Sequence, residues 1–566
     1  MKLKLILLTI LSFLSAGIVQ AQQDSKPKLI LQITVDQLRG DLPEKFMTNM
    51  GEGGFRYLKE QGIWYHNAHY GHANTETVVG HTTLATGADP AVHGMISNVW
   101  FDRATNKLAY NIEDPRYHIL SENADVDEST EIDSSQKLAS TDGRSPANII
   151  VSTFSDELRL KTNGKSKIFG VSVKDRGAVT LAGHTGKAFW FSKKTNEFIT
   201  SSYYYKQNPK WVSNWNKKKL PARMFGGKTW KLMYDRSKYM FGNSDDNPWE
   251  MDVAGFGRTF PHKYGPADNK YFGNFLIYSP AGDDLTLDFA KALIVAEDMG
   301  KDDVTDFLAI SFSSTDYVGH LFSPSSLEAE DNMLRLDKTL ADLFSYIDKH
   351  VGLKNTLIVL SADHGGPEAI GYLKKFGIEA DYVSPNKWDK EPSIAKLKNK
   401  FGIGQELIQD FFPPYVYLNH KVIKEKGLDL AEVQKAVATE LMTVKGIALA
   451  VSSTDIQNNK LPDTYLTRKA LRNFNPQRSG DILLLLKPMY FFNDFEGEMV
   501  ATNHGGPWMY DSYVPVIFAG WKFKGQRIDR RIEPKDIAIT LANLMGTKPP
   551  SGADGEVLKE IVDNKK

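Results

Sequence analysis

The sequence contains no cysteine. Disulfides, thiolate zinc ligands and lipid attachment through cysteine are all excluded. Any zinc site must be built from histidine and carboxylate, the donor style of catalytic rather than structural zinc. A surplus of charge is missing too. Lys+Arg and Asp+Glu number 69 each, which gives no support to nucleic-acid binding, where a basic excess is the rule. Beyond the N-terminal leader no apolar run is long enough to cross a membrane, and no repeat or low-complexity tract stands out. What is present, 41% hydrophobic and 24% charged residues over 566 positions, is the make-up of a folded enzyme. Such a chain builds one large core with insertions, or roughly two to three domains.

The start reads as a targeting signal. Lys2 and Lys4 precede a largely apolar stretch, Leu5 to Val19, and Val19-Gln20-Ala21 is a small-residue cleavage site. Cleavage is expected after Ala21, leaving residues 22–566 as the mature chain. The alternative is a retained anchor. The stretch is short for a span of about 20 residues, and the polar segment Gln22 to Lys28 follows at once. The expectation is a periplasmic or secreted bacterial protein without a stable membrane anchor, held together by its core and its metals.

Short runs rich in Ile, Val and Leu read as buried strands: Leu29 to Val35, Ile168 to Val173, Phe307 to Ile310, Thr356 to Leu360 and Val514 to Ala519. None alternates with polar residues, as expected of a parallel sheet covered on both faces. Between them lie helical patterns. Met333, Leu336, Leu340, Leu343 and Ile347 form one stripe within Leu327 to Lys349. A second helix is predicted over Pro534 to Leu544, with Pro in its first turn. The fold class is therefore an α/β sandwich with a central, mostly parallel sheet. Two stretches interrupt it. About 187–275 is dense in aromatics and opens with a predicted hairpin around Lys193-Lys194-Thr195-Asn196. About 367–480 has its own strands (Tyr415 to Leu418, Ile447 to Val451) and a helix (Leu430 to Val444), and reads as a small α+β insertion.

Acidic and imidazole side chains gather at the ends of these strands. Asp36 follows the first run, Asp316-x-x-x-His320 the run at Phe307, and Asp363-His364 the run at Thr356; His504 stands in Asn503-His504-Gly505-Gly506. Taken singly, each piece is an ordinary cap, surface pair or turn. Loops at the carboxyl ends of strands line the crevice of an open α/β sheet, however, so these residues can converge. Three Asp and three His suit two metal ions about 4 Å apart, which can hold the attacking and leaving oxygens of an in-line displacement. Thr77, in Asn74-Thr75-Glu76-Thr77, is placed to open a helix near Thr75, where a hydroxyl meets the positive helix end. The alternative for Thr75 or Thr77 is a plain N-cap. His66, His69, His72 and His81 cluster near this segment and read as supporting or structural; His93, His118 and His184 carry no role.

The series Asn74-Thr-Glu-Thr-Val-Val-Gly-His81, Asp316-Tyr-Val-Gly-His320, Ala362-Asp-His-Gly365 and Asn503-His-Gly505 resembles, in order, the motifs of the alkaline phosphatase superfamily. The likeness is strongest to its nucleotide pyrophosphatase/phosphodiesterase branch, over about 29–185, 275–366 and 480–550. The resemblance implies two Zn2+ ions, one held by Asp316, His320 and His504 and the other by Asp36, Asp363 and His364. It implies Thr77 as the phosphorylated nucleophile and as a further ligand of the ion held by Asp36, Asp363 and His364.

Val173-Lys174-Asp175-Arg176-Gly177 adds a pair of cations. If the strand continues, Lys174 and Arg176 share one face and can grip non-bridging phosphoryl oxygens; the alternative is an exposed turn. The segment is similar to that of monoesterases within this branch, in which a Lys, an Arg and an Asn, here Asn98, contact the phosphoryl group. A diester has one charge fewer and gains less from such a clamp. The expectation is a monomeric alkaline phosphatase acting on small phosphate monoesters through phosphothreonine. Two rivals stay open: a phosphodiesterase or nucleotide pyrophosphatase, with the aromatic stretch stacking a base rather than packing as core, and an inactive exported binding protein. A sulfatase is disfavoured, because the Cys/Ser-x-Pro-x-Arg context is absent around Thr77.

Overall fold

A computed structural model describes residues 26–492 and 500–564. The predicted signal segment, residues 1–21, lies outside the described residues.

Nine strands form the main sheet: β1 (Leu29–Val35), β2 (Ile63–His69), β3 (Ile168–Ser172), β4 (Lys187–Ser192), β5 (Glu197–Ile199), β6 (Asp306–Phe312), β7 (Thr356–Ser361), β8 (Tyr513–Gly520) and β9 (Gln526–Ile528). Their order is β9-β2-β8-β7-β1-β6-β3-β4-β5. β7, β1, β6, β3 and β4 run parallel. The run at Val514 differs from expectation: β8 is antiparallel to both β7 and β2. An apolar run without alternation reports burial on both faces, not strand direction.

Both faces are covered. Leu31, Ile33, Leu308, Ile310, Ile358 and Leu360 point into one core layer, and Ile30, Phe307, Ala309, Leu357 and Val359 into the other. Three helices carry site residues, α1 (Thr77–Thr86), α2 (Asp175–Ala182) and α4 (Ser314–Phe322), and α3 (Ala281–Ala296), α5 (Leu327–His350) and α6 (Asp536–Met545) pack against α1 or α4. α5 begins where Ser326 Oγ accepts the Ala329 N–H at 3.0 Å. It buries the whole predicted stripe from Met333 to Ile347, each such side chain stabilising the fold by about 1.5–3 kcal/mol. α6 starts two residues later than predicted. Pro534 and Lys535 form the turn just before it, and the Asp536 carboxylate accepts the Glu533 N–H at 2.9 Å.

The aromatic segment enters the main sheet before leaving it: the predicted hairpin is β4–β5, the sheet edge. Its Trp211 and Trp215 pack with Phe189, Phe198 and Phe289. Three strands of the second segment (Ile408–Phe412, Tyr415–Leu418, Ile447–Ser452) join Ile482–Leu486, just past its predicted end, in a four-stranded sheet with its own apolar core.

Candidate active site

The parallel register brings the acidic residues to one edge. Val35 pairs with Phe312, Thr34 with Ser361, and Ser311 with Ser172. The residues just beyond, Asp36, Asp316, Asp363 and Lys174, therefore leave the sheet together at its carboxyl end.

The ligand atoms of Asp36, Asp363 and His364 lie within 4.8 Å of one another, as do those of Asp316, His364 and His504. His320 joins through Asp316, with Nε2 3.3 Å from Oδ1; His504 Nε2 is 3.5 Å from the same oxygen. All six predicted Asp and His ligands are thus brought together, with the His364 and His504 rings stacked 3.7 Å apart. Each histidine is oriented alike. His364 Nδ1 is 2.9 Å from Gly365 O, His320 Nδ1 2.8 Å from Thr502 O, and His504 Nδ1 2.8 Å from Thr75 O. A ring nitrogen facing a carbonyl oxygen carries a proton, which fixes each ring with its Nε2 turned toward the carboxylates. This is the orientation a metal ligand requires.

The charge balance also fits cations. Asp36 is fully buried, and its Oδ1 has no hydrogen-bond donor; His364 Nε2 is likewise without a partner. Burial, then the neighbouring Asp363 carboxylate, holds Asp36 well above the usual carboxylate range. Buried polar atoms left this way are costly unless something pairs with them, and the donor set of carboxylate and imidazole suits zinc.

Lys174 lies among these acids. Its Nζ is 2.8 Å from Asp36 Oδ2, 2.5 Å from Asp316 Oδ2 and 3.5 Å from Thr77 Oγ1. Burial pushes the ammonium down, but Asp316 and Asp36 push it further up, so it stays charged. The strand does not continue through it, as a shared face with Arg176 would need. β3 ends at Ser172, whose Oγ accepts the Lys174 N–H at 3.1 Å, and α2 begins at Asp175. The helix start, not a strand face, sets the two cations. Arg176 NH2 is 2.8 Å from Asp133 Oδ2, and the other Asp133 oxygen accepts the Ser135 N–H at 3.0 Å.

Thr77 is the first residue of α1, and Glu76, not a threonine, is the N-cap. Thr75 instead donates to Gly506 O at 2.9 Å. α1 lies directly on the ligand loop: a Cβ on Gly80 would meet Asp363 O at 1.8 Å. His81, one turn on, bridges Thr77 O (2.9 Å) and Ser311 Oγ (2.9 Å), 3.1 Å from Asp363 Oδ2. Asn98 Oδ1 accepts the Val78 N–H at 3.1 Å, which leaves its NH2 end to donate. Thr77, Asn98, Arg176, Asp316, His320 and His504 line one cleft of about 380 Å³. Ile132, Leu138, Met251 and Val253 form an apolar part of its wall.

Sequence reasoning missed Asp133 and Gln37. Asp133-Ser134-Ser135-Gln136 carries an N-cap pattern, which signals a helix start but not an arginine partner. Gln37 donates from Nε2 to Asp316 Oδ1 at 2.9 Å and from its backbone N–H to Asp363 Oδ1 at 3.1 Å.

Comparison with known proteins agrees with this geometry. Residues 30–507 match the family described as type I phosphodiesterase / nucleotide pyrophosphatase. The chain is 34% identical to alkaline phosphatase PafA of Elizabethkingia meningoseptica over 554 residues, 97% of each chain. It is 33% identical to a protein of Myroides odoratus named calcium-transporting ATPase over 555 residues, again 97% of each. A crystal structure of PafA superposes with a TM-score of 0.86 at 35% identity, covering 94% of this chain and 99% of that one. The chain belongs to the type I phosphodiesterase / nucleotide pyrophosphatase family.

Proposed function

We propose that this protein is an exported, zinc-dependent alkaline phosphatase that hydrolyses small phosphate monoesters through a phosphothreonine on Thr77. The observation that carries the reading is the cleft itself. A buried hydroxyl at a helix start faces Lys174, beside Arg176, Asn98 and three histidines whose Nε2 atoms turn toward Asp36, Asp363 and Asp316.

Asp36, Asp363 and His364 would hold one ion, and Asp316, His320 and His504 the other. Two zinc ions bound there supply Lewis-acid stabilisation of negative charge on the attacking and leaving oxygens. Thr77 Oγ, its proton passed to water, attacks phosphorus; the bond to the ester oxygen breaks, and the leaving oxygen takes a proton from water to depart as the alcohol. Water then attacks the same phosphorus, the bond to Thr77 Oγ breaks, and inorganic phosphate is released. Two inversions give net retention. The Lys174 ammonium, held protonated by its carboxylate neighbours, favours the anionic form of the Thr77 hydroxyl rather than accepting its proton. The positive start of α1 acts in the same sense. Lys174, Arg176 and Asn98 bind the non-bridging oxygens, where charge gathers in a loose transition state.

The clamp favours a terminal phosphoryl group with two charges over a diester. PafA bears the name alkaline phosphatase. The name of the Myroides odoratus relative says ATPase, and the terminal phosphoryl of a nucleoside triphosphate has the same form. No helix among the described residues is long and apolar enough to cross a membrane. The aromatic stretch packs inward, which takes support from the base-stacking diesterase reading, and a full ligand set argues against an inactive binding protein. Every proposed site residue comes from one chain, so a monomer suffices. The test is phosphate release from an aryl monoester and its methyl diester, before and after chelation. Monoester preference, loss on chelation and recovery with zinc are expected; diester preference, or activity that survives chelation, contradicts the proposal.

A further inference from the structure

Gln37 sits between the two ligand sets and touches both. It follows Asp36 directly, yet its backbone has φ +63°, a left-handed conformation that a residue with a long side chain rarely adopts. Strain of this kind persists only where the surroundings enforce it, and it gathers at functional sites. Here it aims the two donors of one residue in two directions. The backbone N–H reaches Asp363 Oδ1 at 3.1 Å, and the side-chain Nε2 reaches Asp316 Oδ1 at 2.9 Å. Gln37 is 2% exposed.

The space around this side chain is cleared for it. A Cβ on Gly319 would meet Gln37 Oε1 at 1.8 Å, and a Cβ on Gly366 would meet Gln37 Cγ, Cδ and Oε1 at 2.9 Å. Neither glycine has a positive φ, so backbone freedom does not account for them; close approach does. Gly319 lies within Asp316-Tyr317-Val318-Gly319-His320, and Gly366 follows Asp363-His364-Gly365. Each ligand motif thus contributes one glycine to the slot that holds Gln37.

We propose that Gln37 is a positioning residue that locks the Asp363 and Asp316 carboxylates into a fixed relation and so sets the spacing of the two metal sites. The inference rests on the assignment of these carboxylates as metal ligands. Its side-chain amide occupies one lone pair of Asp316 Oδ1 and Lys174 occupies Oδ2, so the remaining lone pair of Oδ1 is what faces a metal ion. Outer partners of this kind typically change metal affinity or activity about 10–100-fold when removed.

The test measures zinc content and zinc affinity, by competition with a chromophoric chelator, for the wild type, Gln37→Ala, Gln37→Met and Gly319→Ala. Gln37→Met keeps the shape and loses the donor. Gly319→Ala keeps Gln37 and fills its slot. Expected are two zinc ions in the wild type, and one site weakened about 10–100-fold in all three variants. Gln37→Ala combined with Gly319→Ala should be no worse than either alone. The zinc-induced rise in Tm should shrink, while the Tm of the metal-free proteins moves far less. Wild-type affinity in Gln37→Met would overturn the inference, since packing alone would then explain the residue. Failure of the wild type to bind two ions would overturn the ligand assignment instead. If a Gln37 variant does not fold, Gly319→Ala still decides the matter: unchanged zinc affinity there contradicts the proposal.

Discussion

The Arg176 guanidinium is held by the Asp133 carboxylate, NH2 to Oδ2 at 2.8 Å, with both side chains buried or nearly so. Asp133 is itself fixed, because its other oxygen caps the short helix Ser134–Lys137. Burial pushes the Asp133 carboxyl up, but Arg176 and then Lys193 outweigh it and bring it down to about 2. The pair therefore stays ionised at any working pH.

Asp133→Asn should loosen the phosphoryl clamp without touching the nucleophile. A charge-assisted hydrogen bond of this kind is worth about 1.5–3 kcal/mol, so kcat/KM for a monoester should fall about 10–100-fold. The diester should suffer less, lowering the ratio between the two. An equal loss for both substrates, or a gain from removing a negative charge near the phosphate, would contradict the role given to this pair.

Gly80→Ala should misplace Thr77. The new methyl would collide with Asp363 O, and either α1 or the ligand loop must move. A displacement near 1 Å is enough to cost about 100-fold in rate. The effect should appear in kcat and in zinc retention together, because the same contact joins the nucleophile helix to a ligand. Full activity in Gly80→Ala would mean that α1 and the Asp363 loop are not rigidly docked.

Lys469 should make stability rise with pH. Its Nζ donates to Tyr70 O at 2.6 Å, and burial, then the Arg531 charge, lowers it to about 7 from 10.5. Between those values the unfolded chain holds the proton and the folded chain does not, so unfolding free energy increases with pH across the window. Lys469→Met should remove up to about 1.4 kcal/mol per pH unit of that slope. Denaturant unfolding at pH 7.5 and 9.5 measures it; an unchanged slope would mean that Lys469 is charged in the folded protein.

The convergence of the acidic residues was legible because each signal is local, while their assignment as ligands rested on the resemblance. Asp36, Asp316 and Asp363 follow apolar runs within a few residues, and a parallel sheet carries such ends to one edge. The helix stripe of Leu327 to Lys349 was legible for the same reason, since its period is written in adjacent turns. What the sequence hid depends on contacts distant in the chain. Nothing near Gln37 indicates φ +63°, and the glycines that admit its side chain stand 282 and 329 positions later. Asp133 lies in a polar segment with no periodicity to link it to Arg176. A shared face for Lys174 and Arg176 needs a strand that in fact stops at Ser172; a helix cap and a strand end look alike in a short polar stretch. The direction of β8 was hidden because burial on both faces leaves no mark of orientation.

Covalent capture on Thr77 tests the central claim most directly. The zinc-loaded enzyme is mixed with a labelled phosphate monoester, quenched in acid, digested and mapped. The account predicts label on the peptide containing Thr77 and none in Thr77→Ala. Label trapped on that same peptide in Thr77→Ala would contradict it.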